Sequence, residues 1–179
     1  MIATQVRGIA ASFGGREFSP SYTASFGRAR SLSGEMTTRT KVKGKGTKAA
    51  PWELMTPPGT SSFEAYRDPA ADPPALVVRV GKTELRYHDR CIEDLHAMLR
   101  ERADWIALGS ADEQKPAADD TVEAWGRAKA NPVKGWYGLK NGLRGRFGMY
   151  VPPVLEALGL AEVEHNPRNN RMRALGKQR

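Results

Sequence analysis

The sequence predicts an α+β fold, in which a disordered basic arm precedes one compact domain. Three observations predict it. The first fifty residues are rich in Gly, Ser, Thr, Arg and Lys and poor in large aliphatics, and so little apolar surface cannot offset the entropy of ordering a backbone. From Pro51 onward β-branched runs, Pro/Gly turns and one stretch of helical spacing follow each other, as expected of a single α+β domain over 51–179. The charge divides along the same lines. Residues 1–50 carry nine basic and two acidic side chains, 51–125 eight and fifteen, and 126–179 eleven and three, for a net +8 over 179 residues.

Composition excludes several classes. A single cysteine rules out an internal disulfide and any multi-cysteine zinc or iron–sulfur site. No run of about 18 apolar residues is present, so no membrane-spanning helix is expected. The start, MIATQVRGIAASFGG, lacks the apolar region of a secretory signal and only loosely resembles an organellar transit peptide. A second expectation is that residues 1–35 are an upstream start artefact and that translation begins at Met36. The run from Lys41 to Lys48 reads as a flexible basic arm, able to hold nucleic acid weakly by counterion release or to act as a solvated linker.

Within the domain, Thr56-Pro57-Pro58-Gly59 is a turn-rich entry. Ser61 or Ser62 is expected to cap a short helix through Phe63, Ala65 and Tyr66, broken by Asp68-Pro69 and Asp72-Pro73-Pro74. Ala75–Val80 and Thr83–His88, joined at Gly81-Lys82, predict a β-hairpin. Asp89 should cap the central helix, whose buried face is Ile92, Leu95, His96, Leu99 and Ala103. Trp105, Ile106 and Leu108 continue that surface, and Gly109 ends it. Thr121 should cap a further short helix with Val122 and Trp125 inward, stopped by Asn131-Pro132.

The remaining stretch, GWYGLKNGLRGRFGMY, interleaves glycines, aromatics and cations. Aromatics beside cations suit base stacking and phosphate contact. Here Trp136, Leu139, Phe147 and Tyr150 are assigned to the core, while Lys140, Arg144 and Arg146 face solvent. Pro152-Pro153 fits the first turn of a helix over 154–158 that stops at Gly159. Leu160–His165 and Arg171–Leu175 then form a strand pair with Ala161, Val163, Met172 and Ala174 on the apolar side. Arg168, Asn169, Asn170 and Arg171 sit at its tip.

Candidates for chemistry are sparse. His88, Cys91 and His96 span a broad arc of a helix and lack a fourth ligand, so a core cysteine beside half-buried histidines is the expectation. The acidic loop with Asp112, Glu113, Asp119 and Asp120 lacks the alternating pattern and closing glutamate of a calcium loop. No nucleophile–base–orienter set is readable, so neither catalytic residues nor metal ligands are assigned.

The segment ALGLAEVEHNPRNNRMRAL resembles the recognition-helix end and wing of MarR-type winged helix-turn-helix regulators. The resemblance makes 121–179 winged-helix-like and places Arg168, Asn169, Asn170 and Arg171 along phosphates or in a minor groove. It departs from that pattern in one respect: Val154–Leu158 offers only Glu156 where base-reading polar side chains are usual. From PWELMTPPGTS through GSADEQKPA and TVEAWGR the chain is also similar to a family of small actinobacterial proteins with no assigned activity. That similarity implies a bacterial cytoplasm and carries no catalytic residue over.

The expected function is therefore a non-enzymatic DNA-binding or DNA-associated protein. Its phosphate contacts would come from Lys140, Arg144, Arg146, Arg168, Asn169, Asn170, Arg171 and Arg173. The expected partner is nucleic acid, double-stranded DNA first. The alternative is a protein-interaction module whose basic third docks an acidic partner or a sister chain as a homodimer. No cofactor, membrane or small-molecule substrate is expected.

Overall fold

A computed structural model describes residues 42–112, 114–140 and 146–176. The expectations for residues 1–41, Glu113 and Arg144 lie outside the described residues. The four strands β1 (Trp52–Met55), β2 (Ser62–Asp68), β3 (Ala75–Val80) and β4 (Thr83–His88) form one antiparallel sheet in sequence order. The expected hairpin is β3–β4, paired from Ala75↔His88 to Val80↔Thr83. Gly81 supplies a positive φ of 56° at its turn, which glycine adopts without strain.

Residues 62–68 form a strand, not the expected short helix. Phe63 and Ala65 are buried against the main core, and Tyr66 is buried on the opposite face. That is an alternation of period two, and it is satisfied by ladders to β1 on one side and β3 on the other. A single helical turn offers no comparable gain because its nucleation is unfavourable.

Residues 42–50, expected within the disordered arm, are folded. Lys43 pairs with Glu53 along the outer side of β1, and Arg67 donates its N–H to Gly46 C=O at 3.0 Å. Gly46 is buried against the Trp52 indole, where a Cβ would stand 2.1 Å from the ring. Backbone pairing and one tryptophan order this stretch, and a tally of its own apolar residues misses both.

The helix α1 (Cys91–Arg102) buries Cys91, Ile92, Leu95 and Leu99. His96 lies half-buried and Ala103 exposed. Arg90 occupies the N-cap position without a side-chain cap, while the Asp89 carboxylate receives the Arg67 guanidinium instead. The helix ends at Ala103 in a left-handed conformation (φ 52°), six residues before Gly109. Ile106–Ala107 leaves it as a strand, β5, because Ile106 is claimed by a ladder to Met172.

Thr121 caps α2 (Val122–Trp125) as expected, its Oγ1 accepting Ala124 N–H at 3.1 Å. The helix α3 spans Phe147–Ala157, so Pro152 and Pro153 lie inside it and not in its first turn. Each proline forgoes one backbone bond, and α3 remains helical because Phe147, Tyr150, Val151, Val154 and Leu155 are all buried. Strands β6 (Ala161–Val163) and β7 (Arg171–Ala174) follow, and the second sheet has the order β5-β7-β6.

One main core joins the two sheets. Leu76, Val78, Leu85 and Tyr87 from the first sheet meet Leu95 and Leu99 of α1, Val151 and Leu155 of α3, and Met172 of β7. Tyr87, Trp125, Tyr137 and Phe147 form an aromatic cluster inside it, with ring centroids 5.3–6.1 Å apart. Tyr137 is fully buried, whereas Trp136, expected in the core, is only half-buried. Residues 137–139 run along the outer side of β4, with His88 N–H donating to Tyr137 C=O (2.9 Å) and Leu139 N–H to Arg86 C=O (2.8 Å).

Candidate nucleic-acid interface

The hairpin β6–β7 carries most of the candidate residues. Its alternation puts Ala161, Val163 and Met172 into the core and turns Glu162, Glu164, Arg171 and Arg173 outward. Register sets these in rows: Glu162 is opposite Arg173, and Glu164 N–H donates to Arg171 C=O at 2.9 Å. Both cations are consequently ion-paired. Arg171 meets the Glu164 carboxylate through Nε and Nη2, the shortest contact being 2.6 Å. Arg173 meets Glu162 through Nε at 2.9 Å and Nη2 at 2.8 Å. The Arg171 guanidinium holds the Glu164 carboxyl below the usual carboxylate range, and Glu164 raises Arg171 in return.

Trp105, just before β5, completes this face. The Arg173 guanidinium carbon lies 4.6 Å from its ring centroid and that of Arg171 5.5 Å, a distance at which a cation is attracted by the ring face. Trp105 also lines an open cleft of about 380 Å3 with Arg102, Asp104, Ile106, Ala107 and Asp120.

The tip residues divide. Arg168 and Asn169 are exposed, Asn169 at a φ of 56°. Asn170 is buried and holds the turn closed, accepting Asn166 N–H at 2.6 Å and donating to Asn166 C=O at 2.8 Å. Its side chain is committed within the protein. Lys140 and Arg146 are exposed, and Arg146 is the N-cap residue of α3 with φ 62°. Among the described residues Lys140, Arg146 and Arg168 hold no ion pair.

The charged centre of this half of the molecule was not legible as a site. Glu123 of α2 is buried, and its carboxylate accepts the Gly148 N–H at 2.6 Å. It is thereby placed at the start of α3, where free N–H groups favour an anion. Arg127 binds the same carboxylate through Nε at 2.8 Å. Its guanidinium also donates to the carbonyls of Ala111, Asp112 and Lys115 and stacks on Trp136, 4.5 Å from the ring centroid. Burial pushes the Glu123 carboxyl up, with Gly148 N–H and Arg127 opposing that shift. The only sequence signal is the four-residue spacing within TVEAWGR, which marks many exposed helix pairs equally.

Elsewhere the titratable groups are structural. Burial pushes the Cys91 thiol up, and burial with Arg90 nearby lowers His88. Tyr137 donates its hydroxyl to Asp94 at 2.8 Å, and Arg90 binds the same carboxylate. Among the described residues no group of three or more His, Cys, Asp or Glu is placed to hold a metal ion. No helix among them is long and apolar enough to cross a membrane.

No curated protein and no solved structure matches the chain. The model of a family of unknown function, DUF6855, matches residues 44–175, well over half of the chain, and the chain belongs to this family.

Proposed function

We propose that the chain is a non-enzymatic DNA-associated protein of a bacterial, actinobacterial cytoplasm, and that its C-terminal part is a winged-helix-like module. The observation that carries the reading is the element order α1, β5, α2, α3, β6, β7 with β7 between β5 and β6. A helix, a strand, two helices and a hairpin whose last strand returns to the middle is the layout of a winged helix, with the turn at 164–170 as the MarR-like wing. The burial of α3 favours contact with phosphates over base edges, since only base-edge contacts read sequence. Lys140, Arg144, Arg146 and Arg168 are the first cations in this reading, with Arg171 and Arg173 behind their glutamates and Asn169 at the tip. The buried, raised Cys91 thiol supports a role without covalent catalysis.

A salt titration of binding to random duplex, single-stranded DNA and RNA tests the reading. Affinity for duplex should fall steeply with salt, and Lys140→Ala with Arg168→Ala should together lower the log–log slope by about 2. No binding to any of the three polymers at 50 mM salt ends the reading.

A second reading, association with a sister chain, is favoured by an apolar feature. Leu158 and Leu175 are exposed at 40% and 36%, and Leu175 N–H donates to Leu160 C=O at 3.0 Å, which ties these leucines to one end of the small sheet. Sedimentation at two salt concentrations separates the two: a dimer without DNA affinity supports this second reading.

A further inference from the structure

The outer face of the β5-β7-β6 sheet contains a contradiction for a protein read as meeting phosphates. Its two central cations, Arg171 and Arg173, are neutralised by the chain's own carboxylates. Three observations bear on this. First, each guanidinium presents its Nε–Nη2 edge to a glutamate, and that edge is the fork that receives a phosphate in bidentate fashion. Second, the guanidiniums do not depend on the glutamates alone for their orientation. Both lie over Trp105, a platform that stays when the carboxylates leave. Third, the arginine ends of the pairs are open to water, while Glu164 and Glu162 are 20% and 33% exposed. The Arg171 and Arg173 side chains are 50% and 47% exposed, and exposed pairs are weak enough for another anion to displace.

We propose that this face is a second phosphate-backbone surface for a DNA duplex, and that Glu162 and Glu164 mask it by occupying the forks of Arg173 and Arg171. The inference rests on the DNA reading and adds its control. Duplex binding starts at the unpaired cations, and engagement of the sheet face requires the two carboxylates to give up their arginines. Masking keeps the basal affinity low and makes it sensitive to anything that swings or neutralises those glutamates. The chemistry is exchange of one oxyanion for another on an unchanged guanidinium, with no bond made or broken.

The test compares the full chain with Glu162→Gln/Glu164→Gln, using a labelled random 20-base-pair duplex and a polyglutamate of similar charge at several salt concentrations. Glutamine keeps the side-chain oxygen that accepts Arg171 N–H, and a thermal melt of each variant confirms the fold. Two unmasked cations should tighten duplex binding about tenfold at low salt and steepen the log–log slope by about 1.8. Adding Arg171→Gln/Arg173→Gln should abolish the gain, and Trp105→Leu in the glutamine background should reduce it. Wild-type binding with no gain in the variant overturns the masking while leaving the DNA reading intact. Binding by the variant alone, or by neither, overturns both. A gain on polyglutamate but not on duplex overturns the assignment to DNA.

Discussion

The Glu123–Arg127 pair and the two pairs of the β6–β7 hairpin use the same groups at similar distances and differ in what surrounds them. In the first, the side chains are 1% and 10% exposed and are held by a helix terminus, three loop carbonyls and an indole. In the second, about half of each arginine side chain is exposed. A buried pair that loses one member strands an uncompensated charge, whereas an exposed pair that loses one member is rehydrated. The first arrangement therefore holds the fold, and the second is free to serve recognition.

The largest expected effect breaks the buried side of that comparison. Arg127→Ala leaves Glu123 alone in the core and frees the carbonyls of 111, 112 and 115, and should cost about 3–5 kcal/mol in urea unfolding. A loss below about 1 kcal/mol would put the two regions in the same class. Tyr137→Phe removes a bond to the Asp94 carboxylate and should cost about 1.5–3 kcal/mol, which places a half-buried polar contact between the extremes.

The pH dependence sharpens the contrast through opposite signs. Burial holds the Glu123 carboxyl above its ordinary 4.5, so in the window above that value the folded chain binds more protons than the unfolded one. Stability from this group is present below 4.5 and is lost as pH rises through the folded value. Glu123→Gln should flatten that part of the profile. Glu164, held low by Arg171, acts the other way: its stability is present above 4.5 and is lost as pH falls through its folded value. The smallest effect belongs to the hairpin. Glu162→Gln/Glu164→Gln should lower the urea midpoint only slightly near neutral pH, as exposed pairs contribute little, and a large downward shift would mean that these pairs hold structure.

The parts of this fold that were legible in the sequence are those specified locally. The β3–β4 hairpin follows from β-branched runs around Gly81, the α2 cap from Thr121, and the inward side of β6–β7 from alternation of Ala161, Val163 and Met172. What was not legible depends on partners far along the chain. Ser62–Asp68 has a plausible helix cap and is a strand because β1 and β3 flank it. Trp105–Leu108 has helical spacing with α1 and leaves it because β7 claims Ile106. The start of α3 is set by a carboxylate 25 residues upstream, through the bond from Gly148 to Glu123. For the candidate interface, residue types pointed to cations on the hairpin. The facing glutamates lie in the same two strands in matching phase, Glu162 and Glu164 against Arg173 and Arg171. Their pairing was readable once the register was known, but net charge, which sums over a segment, conceals neutralisation across a turn.

The coverings of the four-stranded sheet bear on how this protein behaves in a crowded solution. At one flank Glu53 N–H donates to Lys43 C=O, and at the other His88 N–H donates to Tyr137 C=O and Leu139 N–H to Arg86 C=O. At those positions a strand from a neighbour finds the ladder bonds already made, which shortens the template for lateral growth.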